Sequence, residues 1–152
     1  MIGAFPLDAD DVEVLERLRV DRVLNLVQDK EYPRGQRAVV EAAFADAGIG
    51  EWRLDLTDYG GLPPEDIEAA VEEVNQWLDE GAKAYVHCRA GWQRSAAVAA
   101  AVVAIRAGLD IDEALNYVQE RKPSADPLPH QREDLRKWWD GRQARGARLV
   151  HR

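Results

Sequence analysis

Short apolar runs alternate along the chain with longer stretches in which apolar residues recur every three or four positions. Residues 51–56 alternate in polarity and place Trp52, Leu54 and Leu56 on one face, as expected of a β-strand. Residues 64–80 repeat apolar side chains at the spacing of a helix. The same patterns predict strands at residues 2–7, 22–27, 51–56 and 84–88, and helices at residues 8–18, 36–47, 64–80, 94–107, 110–121 and 130–139.

Strands and helices that alternate in this order are typical of an α/β fold. We expect a central, mostly parallel sheet of four to five strands, flanked by helices. In such a sheet the loops that follow the strands gather at one edge, where ligands and substrates bind. The strand at residues 84–88 ends on Cys88, so this residue is predicted to lie at that edge.

Composition limits the kinds of protein that the chain can form. Of its 152 residues 46% are hydrophobic, which indicates a folded domain with one core. The single cysteine excludes an intramolecular disulfide and a zinc site built from several cysteines. The first residues lack the features of a signal peptide, and no apolar run is long enough to span a membrane. We therefore expect a cytoplasmic protein, and we favour a monomer.

The net charge of −8 is unevenly distributed. Residues 141–152 contain four arginines and no acidic residue, which leaves about −12 on residues 1–140. An acidic body repels nucleic acid and anionic membranes, so neither is expected as a partner. The basic tail either reverses this repulsion locally or is a frayed, solvated chain end.

The stretch YVHCRAGWQRSAAV, residues 85–98, places the only cysteine between a predicted strand and a predicted helix. The backbone N–H groups of such a loop have no helical partners and can bind an anion, and the helix dipole adds positive potential. Gly91 allows backbone conformations that a side chain hinders, and Arg94 offers two parallel donors to a phosphate group. These surroundings favour the thiolate form of Cys88. The alternative is a buried thiol at a strand end, beside a solvated arginine.

Residues 87–95 read His-Cys-Arg-Ala-Gly-Trp-Gln-Arg-Ser and fill every fixed position of the pattern H-C-x-x-G-x-x-R-S/T. This stretch resembles the phosphate-binding loop of the cysteine-dependent protein tyrosine phosphatases, and the chain resembles their small dual-specificity type in size. The resemblance implies that Cys88 forms a phosphocysteine intermediate and that Arg94 and the loop amides hold the phosphate oxygens. It further implies that Ser95 stabilises the thiolate leaving group, that His87 supports the loop, and that no metal or cofactor is needed. The predicted phosphate-binding residues are Arg89, Ala90, Gly91, Trp92, Gln93 and Arg94. Residues 88–94 are called the phosphate loop below.

The leaving group of a phosphate ester needs a proton. The family resemblance implies that an aspartate upstream of the cysteine supplies this proton. Asp58 lies 30 positions before Cys88 and opens the segment DYGGLPP, which resembles the acid loop of dual-specificity phosphatases. Asp55 is the alternative, although it is predicted to lie within the preceding strand, where it has less freedom to move. Gly60 and Gly61 are expected to let the loop close over a substrate.

Several further polar and aromatic residues have two interpretations each. Gln131 resembles a family glutamine that helps to orient the hydrolytic water, or it is an ordinary residue of a first helical turn. Asn25 resembles a family asparagine that braces the phosphate loop, or it is a polar strand residue that faces water. Trp92 either lines the rim of the pocket or packs outward against neighbouring segments. The polar loop at residues 28–35 is expected to border the pocket and to select the substrate.

The resemblance therefore implies a phosphatase catalytic domain at residues 1–140, followed by a basic C-terminal tail at residues 141–152. We expect a metal-independent phosphomonoesterase, a protein tyrosine or dual-specificity phosphatase whose substrate is a phosphorylated protein. The alternative enzyme acts on small phosphate esters such as phosphoinositides, nucleotides or other phosphorylated metabolites. A non-catalytic phosphate-binding module is the third possibility. Loss of the cysteine, the arginine or the aspartate would favour such a module, and none of the three is lost.

Overall fold

The computed structural model describes the backbone of residues 1–150 and the side chains of residues 1–149. Residues 151 and 152, which end the predicted basic tail, lie outside the described residues. The strands are β1 (Ile2–Ala4), β2 (Arg22–Asn25), β3 (Gly50–Arg53) and β4 (Ala84–Cys88). The helices are α1 (Ala9–Arg17), α2 (Gln36–Ala47), α3 (Pro64–Asp79), α4 (Arg94–Ala107), α5 (Ile111–Arg121) and α6 (Pro129–Val150), and a short 3-10 helix spans Asp29–Glu31.

The four strands form one parallel sheet in the order β1-β4-β2-β3. In the register of the two central strands, Leu24 of β2 lies opposite Val86 of β4. Because all the strands run in the same direction, their carboxyl ends meet at one edge of the sheet. The predicted fold class, a parallel α/β sheet flanked by helices, is confirmed.

Side chains that alternate along the strands supply two hydrophobic layers, one on each face of the sheet. Val23 and Tyr85 pack with residues of α1 and α2, including Phe44. Leu24 and Val86 point to the opposite face and pack with residues of α3, α4, α5 and α6. Burial of each large apolar side chain contributes about 1.5–3 kcal/mol. Five of the nine buried residues of α4 are alanines, so its backbone can approach its neighbours closely.

Three strands end earlier than their hydrophobic pattern predicts. β1 covers only three residues, β2 ends at Asn25 rather than at residue 27, and β3 ends at Arg53 rather than at residue 56. β3 lies at the edge of the sheet and pairs with β2, so the ladder cannot continue once β2 has ended. Leu54 and Leu56 still follow the sheet loosely, because their N–H groups donate to the carbonyls of Asn25 and Leu26 at 2.9 and 3.4 Å.

The last helix, α6, runs to Val150, whereas the sequence pattern predicts an end at residue 139. Trp138 Nε1 donates to the carboxylate of Glu68 on α3 at 2.7 Å, and Arg142 pairs with the same carboxylate. The contact of Arg142 holds α6 against α3 beyond its predicted end. Each glycine within the helix costs only about 1 kcal/mol. Within residues 1–150, no helix combines the length and the apolar character needed to cross a membrane.

Candidate active site

β4 brings Cys88 to the edge of the sheet, and residues 89–93 connect it to α4, which begins at Arg94. Within this loop Gly91 has a φ angle of +78°. A Cβ atom on Gly91 would lie 2.6 Å from the carbonyl carbon of Gly3 in β1. Position 91 therefore requires glycine for two reasons, its left-handed backbone and the close approach of the neighbouring strand.

A cavity of 320 Å³ opens over the phosphate loop. Cys88 is 3% exposed, and its Sγ atom lies 3.3 Å from Ser95 Oγ in the first turn of α4. A hydroxyl at this distance can donate a hydrogen bond to a thiolate. Of the predicted phosphate-binding residues, all except Gly91 line the cavity. The lining residues are Asp58, Tyr59, Cys88, Arg89, Ala90, Trp92, Gln93 and Arg94.

Arg94 lines this cavity although it is only 1% exposed. Its Nη1 atom donates to the carbonyls of Leu26 and Leu56, at 3.1 and 2.9 Å. Nη1 and Nη2 also donate to the two carboxylate oxygens of Glu31, at 2.9 and 2.7 Å. Nε has no hydrogen-bond partner among the described residues. Because buried donors are normally satisfied, this nitrogen is available to an anion that enters the cavity.

Glu31 and Tyr59 are the site residues that the sequence pattern does not predict, and Tyr59 lines the cavity. Glu31 pairs with Arg94. It ends the 3-10 helix after β2, and its side chain is 6% exposed. Burial alone would raise the pKa of this carboxyl, but the hydrogen bonds from Arg94 and from the Gln28 N–H hold the pKa below its ordinary value. The loop at residues 28–35 does not line the cavity, contrary to expectation, and reaches the site through this ion pair. The order of the elements places this carboxylate, soon after β2, at the same sheet edge as Cys88, but it does not identify Arg94 as its partner.

The two candidate acids occupy different places. Asp58 lines the cavity, its side chain is 28% exposed, and its Oδ1 lies 3.3 Å from Arg94 Nη2. Asp55 is 62% exposed, lies 3.9 Å from Arg53 and is not among the lining residues. Asp55 does not lie within β3 as predicted, because that strand ends at Arg53. The assignment of Asp58 as the acid stays a prediction, and its position beside Arg94 supports it.

His87 and Asn25 are fully buried and lie opposite each other on β4 and β2. Burial lowers the pKa of His87 to about 3, so its ring is neutral at physiological pH. Asn25 Nδ2 donates to the Tyr32 hydroxyl at 2.8 Å and to Glu51 at 3.2 Å, while its Oδ1 accepts from the Val27 N–H at 2.8 Å. The interpretation of Asn25 as a residue that faces water is therefore wrong. Its hydrogen bonds support the segment after β2 rather than the phosphate loop.

Gln131 and Trp92 have different surroundings. Gln131 is fully buried in the first turn of α6 and is not among the lining residues. Its Nε2 donates to the carbonyl of Gly60, two residues after Asp58, at 3.1 Å. Trp92 is 54% exposed and lines the cavity, which matches the interpretation that places it on the rim. Its carbonyl accepts from the Asp126 N–H at 2.6 Å.

The site combines three features around one cavity: a thiol at the end of a parallel strand, a loop that opens a helix, and a buried arginine. Together they define a class, the cysteine-dependent phosphatases. The family model of the dual specificity phosphatase catalytic domain matches residues 7–140. The chain belongs to this family. The family and the class of enzyme predicted from residues 87–95 are thereby confirmed, whereas the roles of individual residues stay predictions.

Known proteins agree with this assignment. The chain is 39% identical over 67 residues to the dual specificity protein phosphatase 16 of Homo sapiens, a match that covers 37% of this chain and 10% of that protein. The match thus spans a small part of the relative's length. Solved structures of Tk-PTP in the active form, of PTPMT1 and of human DUSP28 give TM-scores of 0.81, 0.82 and 0.72, each at 24% identity. These likenesses cover 91%, 97% and 95% of this chain and 90%, 95% and 94% of those chains, and they establish the fold.

Proposed function

We propose that this protein hydrolyses phosphate monoesters through a phosphocysteine on Cys88, without a metal, and that its substrates are phosphorylated protein side chains, above all phosphotyrosine. The observation that carries the proposal is the buried Arg94, whose Nε has no partner among the described residues and which shares one cavity with the Cys88 thiol. A guanidinium presents parallel donors that fit two phosphate oxygens. Because Glu31 already fixes this guanidinium, little reorganisation is needed when a substrate binds.

In the first step, Cys88 Sγ attacks phosphorus, so that a sulfur–phosphorus bond forms while the bond to the leaving oxygen breaks. Asp58 gives its proton to that oxygen, and the leaving group departs as a phenol or an alcohol. Arg94 and the backbone N–H groups at the N-terminus of α4 bind the equatorial oxygens and stabilise the charge that develops on them.

In the second step, water attacks the phosphocysteine, and Asp58, now a carboxylate, takes a proton from that water. The sulfur–phosphorus bond breaks and inorganic phosphate leaves. Ser95 Oγ, 3.3 Å from Cys88 Sγ, donates a hydrogen bond to the departing thiolate. His87 is fully buried and does not line the cavity, so we assign it support of the loop and no proton transfer.

The rim of the cavity favours phosphotyrosine among phosphorylated side chains. Tyr59 and Trp92 line the cavity and are 66% and 54% exposed. Aromatic faces at the mouth of a polar site can pack against an aryl leaving group. Phosphoserine and phosphothreonine remain compatible with the same chemistry, since Asp58 can protonate an alkoxide as well as a phenolate.

A small phosphate ester is the second candidate substrate, and Arg89 is the observation that favours it. Arg89 is exposed, lines the cavity and forms no salt bridge within the described part of the chain. It therefore offers a cation to a second anionic group on the substrate. One solved structure of PTPMT1 is a complex with PI(5)P, so a phosphoinositide is a specific form of this alternative. A non-catalytic phosphate-binding module is disfavoured, because the thiol, the arginine and the aspartate all border the cavity.

Hydrolysis of an aryl phosphate in the presence of a chelator tests the mechanism. We expect Cys88→Ser and Arg94→Ala each to abolish turnover, while Cys88→Ser retains binding of the substrate. Asp58→Ala should lower turnover by about 10²–10⁴-fold, and Asp55→Ala should leave it near that of the wild type. Full activity of Cys88→Ser would overturn the mechanism, and the large loss in Asp55→Ala instead of Asp58→Ala would reassign the acid.

A panel of phosphotyrosine peptides, phosphoserine peptides, phosphoinositides and nucleotides tests the substrate class. The proposal requires the highest kcat/KM on phosphotyrosine peptides. A preference for phosphoinositides or nucleotides that is lost in Arg89→Ala would establish the second candidate instead.

The remaining proposals concern the state in which the enzyme works. We propose a monomer in the cytoplasm that needs no cofactor and does not bind nucleic acid, with a catalytic domain at residues 1–140 and a basic tail at residues 141–152, of which residues 141–150 continue α6. The net charge of −8 supports the absence of nucleic acid, and the family match at residues 7–140 supports the domain boundary. Light scattering of the purified protein tests the oligomeric state, and a dimer mass would contradict the proposal.

A further inference from the structure

The acid loop, residues 57–62, is held by three side chains from the first two turns of α6. His130 Nε2 lies 3.0 Å from the carbonyl of Tyr59 and 3.2 Å from that of Gly60. Both neighbours are acceptors, so this nitrogen carries the proton and donates. Gln131 Nε2 donates to the same Gly60 carbonyl at 3.1 Å. Asp134 Oδ2 accepts from the Leu62 N–H at 2.8 Å.

Both polar atoms of the Gln131 side chain form hydrogen bonds. Its Oε1 accepts from the Leu128 N–H at 2.9 Å, while its Nε2 is the donor to Gly60. The side chain is fully buried, so a movement of the acid loop away from α6 would leave a buried amide donor unsatisfied. This cost keeps the loop against α6.

The middle of the acid loop has few other contacts to fix its shape, although Leu62 at its end is buried in the core and Asp58 lies 3.3 Å from Arg94. Tyr59 has a φ angle of +59°, which is uncommon for a residue other than glycine, and its side chain is 66% exposed. Gly60 and Gly61 follow, and a single backbone hydrogen bond, from the Gly60 N–H to the Thr57 carbonyl at 2.9 Å, closes the turn. The contacts from α6 therefore fix the loop at Tyr59 and Gly60, directly after Asp58.

The segment just before α6 contacts the phosphate loop as well. The Asp126 N–H donates to the Trp92 carbonyl at 2.6 Å. Arg132 of α6 ties this segment to the helix, because its Nε donates to the Pro127 carbonyl at 2.8 Å and its Nη2 to Asp126 at 2.9 Å. The segment before α6 and the helix itself thus contact the two loops that border the cavity.

We propose that His130, Gln131 and Asp134 are positioning residues that hold the acid loop so that Asp58 faces the leaving group. Gln131 thus acts through the Gly60 carbonyl and does not contact the hydrolytic water. The proposal rests on the proposed function, because it takes Asp58 as the general acid. It contrasts with the expectation that Gly60 and Gly61 serve as a hinge for a mobile lid.

The test compares leaving groups, because a misplaced acid matters only where the leaving oxygen needs a proton. We would measure kcat for His130→Ala, Gln131→Leu and Asp134→Ala on p-nitrophenyl phosphate and on phenyl phosphate, whose leaving group is more basic. We expect kcat on phenyl phosphate to fall about tenfold, the effect of one lost hydrogen bond of about 1.4 kcal/mol, and kcat on p-nitrophenyl phosphate to change much less. Asp134→Asn keeps an oxygen acceptor for the Leu62 N–H and should restore activity on both substrates.

Glu133→Ala serves as the matched control, since this side chain lies in the same turn, is 55% exposed and makes its salt bridge within α6. His130 is exposed, so its substitution keeps the test valid even if Gln131→Leu fails to fold. Equal losses on both substrates, or no loss on either, would overturn the proposal. If Asp58→Asn itself shows no dependence on the leaving group, the assigned acid is wrong. If Asp58→Asn shows the dependence and the three α6 variants do not, only the positioning role is wrong.

Discussion

The buried pair of Glu31 and Arg94 leads to a prediction about both stability and catalysis. Glu31→Gln keeps the size of the side chain and one acceptor oxygen but removes the charge that neutralises a guanidinium exposed by only 1%. Loss of one charge from a buried pair costs about 3–5 kcal/mol. Arg94 keeps the carbonyls of Leu26 and Leu56 as acceptors, so we expect a loss near 3 kcal/mol at pH 7. Because the guanidinium is then less firmly held, kcat should fall by about 10- to 100-fold, less than loss of an oxyanion donor costs.

The pH dependence of this stability difference has a defined sign. The folded protein holds the pKa of Glu31 below its ordinary value of 4.5, so the ionised carboxylate stabilises the fold above that pH. The contribution disappears as the pH falls through the lowered pKa of the folded state. The difference in unfolding free energy between wild type and Glu31→Gln should therefore be full at pH 7 and shrink below pH 4.5.

Urea unfolding followed by circular dichroism at neutral and acidic pH measures these differences, and steady-state kinetics on an aryl phosphate measures kcat. Asp29→Asn is the matched control, because this carboxylate lies on the same 3-10 helix, is 77% exposed and pairs with Arg53 at 2.6 Å. Such an exposed pair contributes about 0–1 kcal/mol. Equal unfolding midpoints and equal kcat in wild type and Glu31→Gln would refute the role assigned to the pair, and so would a difference that does not shrink in acid.

Three further predictions follow from the phosphate loop. Gly91→Ala should lower both the unfolding midpoint and kcat, because left-handed backbone costs about 1–2 kcal/mol and the new Cβ meets the backbone of Gly3. Gly108→Ala, with a φ of +68° and nothing within 4 Å of its Cβ, should show the backbone cost alone and keep kcat. Trp92→Ala should raise KM for aryl phosphates and leave kcat near wild type, and a lower kcat with unchanged KM would contradict a rim role. Peroxide should oxidise Cys88 to a sulfenic acid, which then loses water to form a sulfenamide with a backbone nitrogen or, when a small thiol is added, a mixed disulfide with that thiol, since the chain has no second cysteine. Mass spectrometry that finds neither product while activity survives would contradict this.

The order and type of the secondary structure elements follow from local patterns, whereas their ends depend on neighbours. β3 reads as a strand to residue 56, yet its ladder stops at Arg53 because its partner β2 has already ended at Asn25. The pattern predicts that α6 ends at residue 139, yet the helix continues, and both Trp138 and Arg142 contact Glu68 of α3. Both differences in element length arise from contacts between residues that are distant in sequence. The periodicity of hydrophobic residues within one element cannot predict such contacts.

The same division explains which parts of the site could be predicted. The phosphate loop is contiguous, so its strand, glycine and helix start are all visible in residues 87–95. Glu31 lies 63 positions before Arg94 in a polar loop, and nothing local marks its carboxylate as the partner of a buried arginine. Gln131 is 71 positions from Gly60, and its two interpretations, a family glutamine at the water or an ordinary residue of a first helical turn, include no contact with the acid loop. Contacts of this kind become visible only once the sheet brings the loops together.

Burial explains why we propose different roles for the two carboxylates beside one guanidinium. Glu31 is 6% exposed and makes two hydrogen bonds to Arg94, so it stays ionised and fixes the cation. Asp58 is 28% exposed and approaches the same group at 3.3 Å from the side of the cavity. Asp58 therefore borders the space that a phosphate group would enter, whereas Glu31 does not line the cavity. This position suits the acid role that we propose for Asp58, while the buried carboxylate keeps the arginine in position.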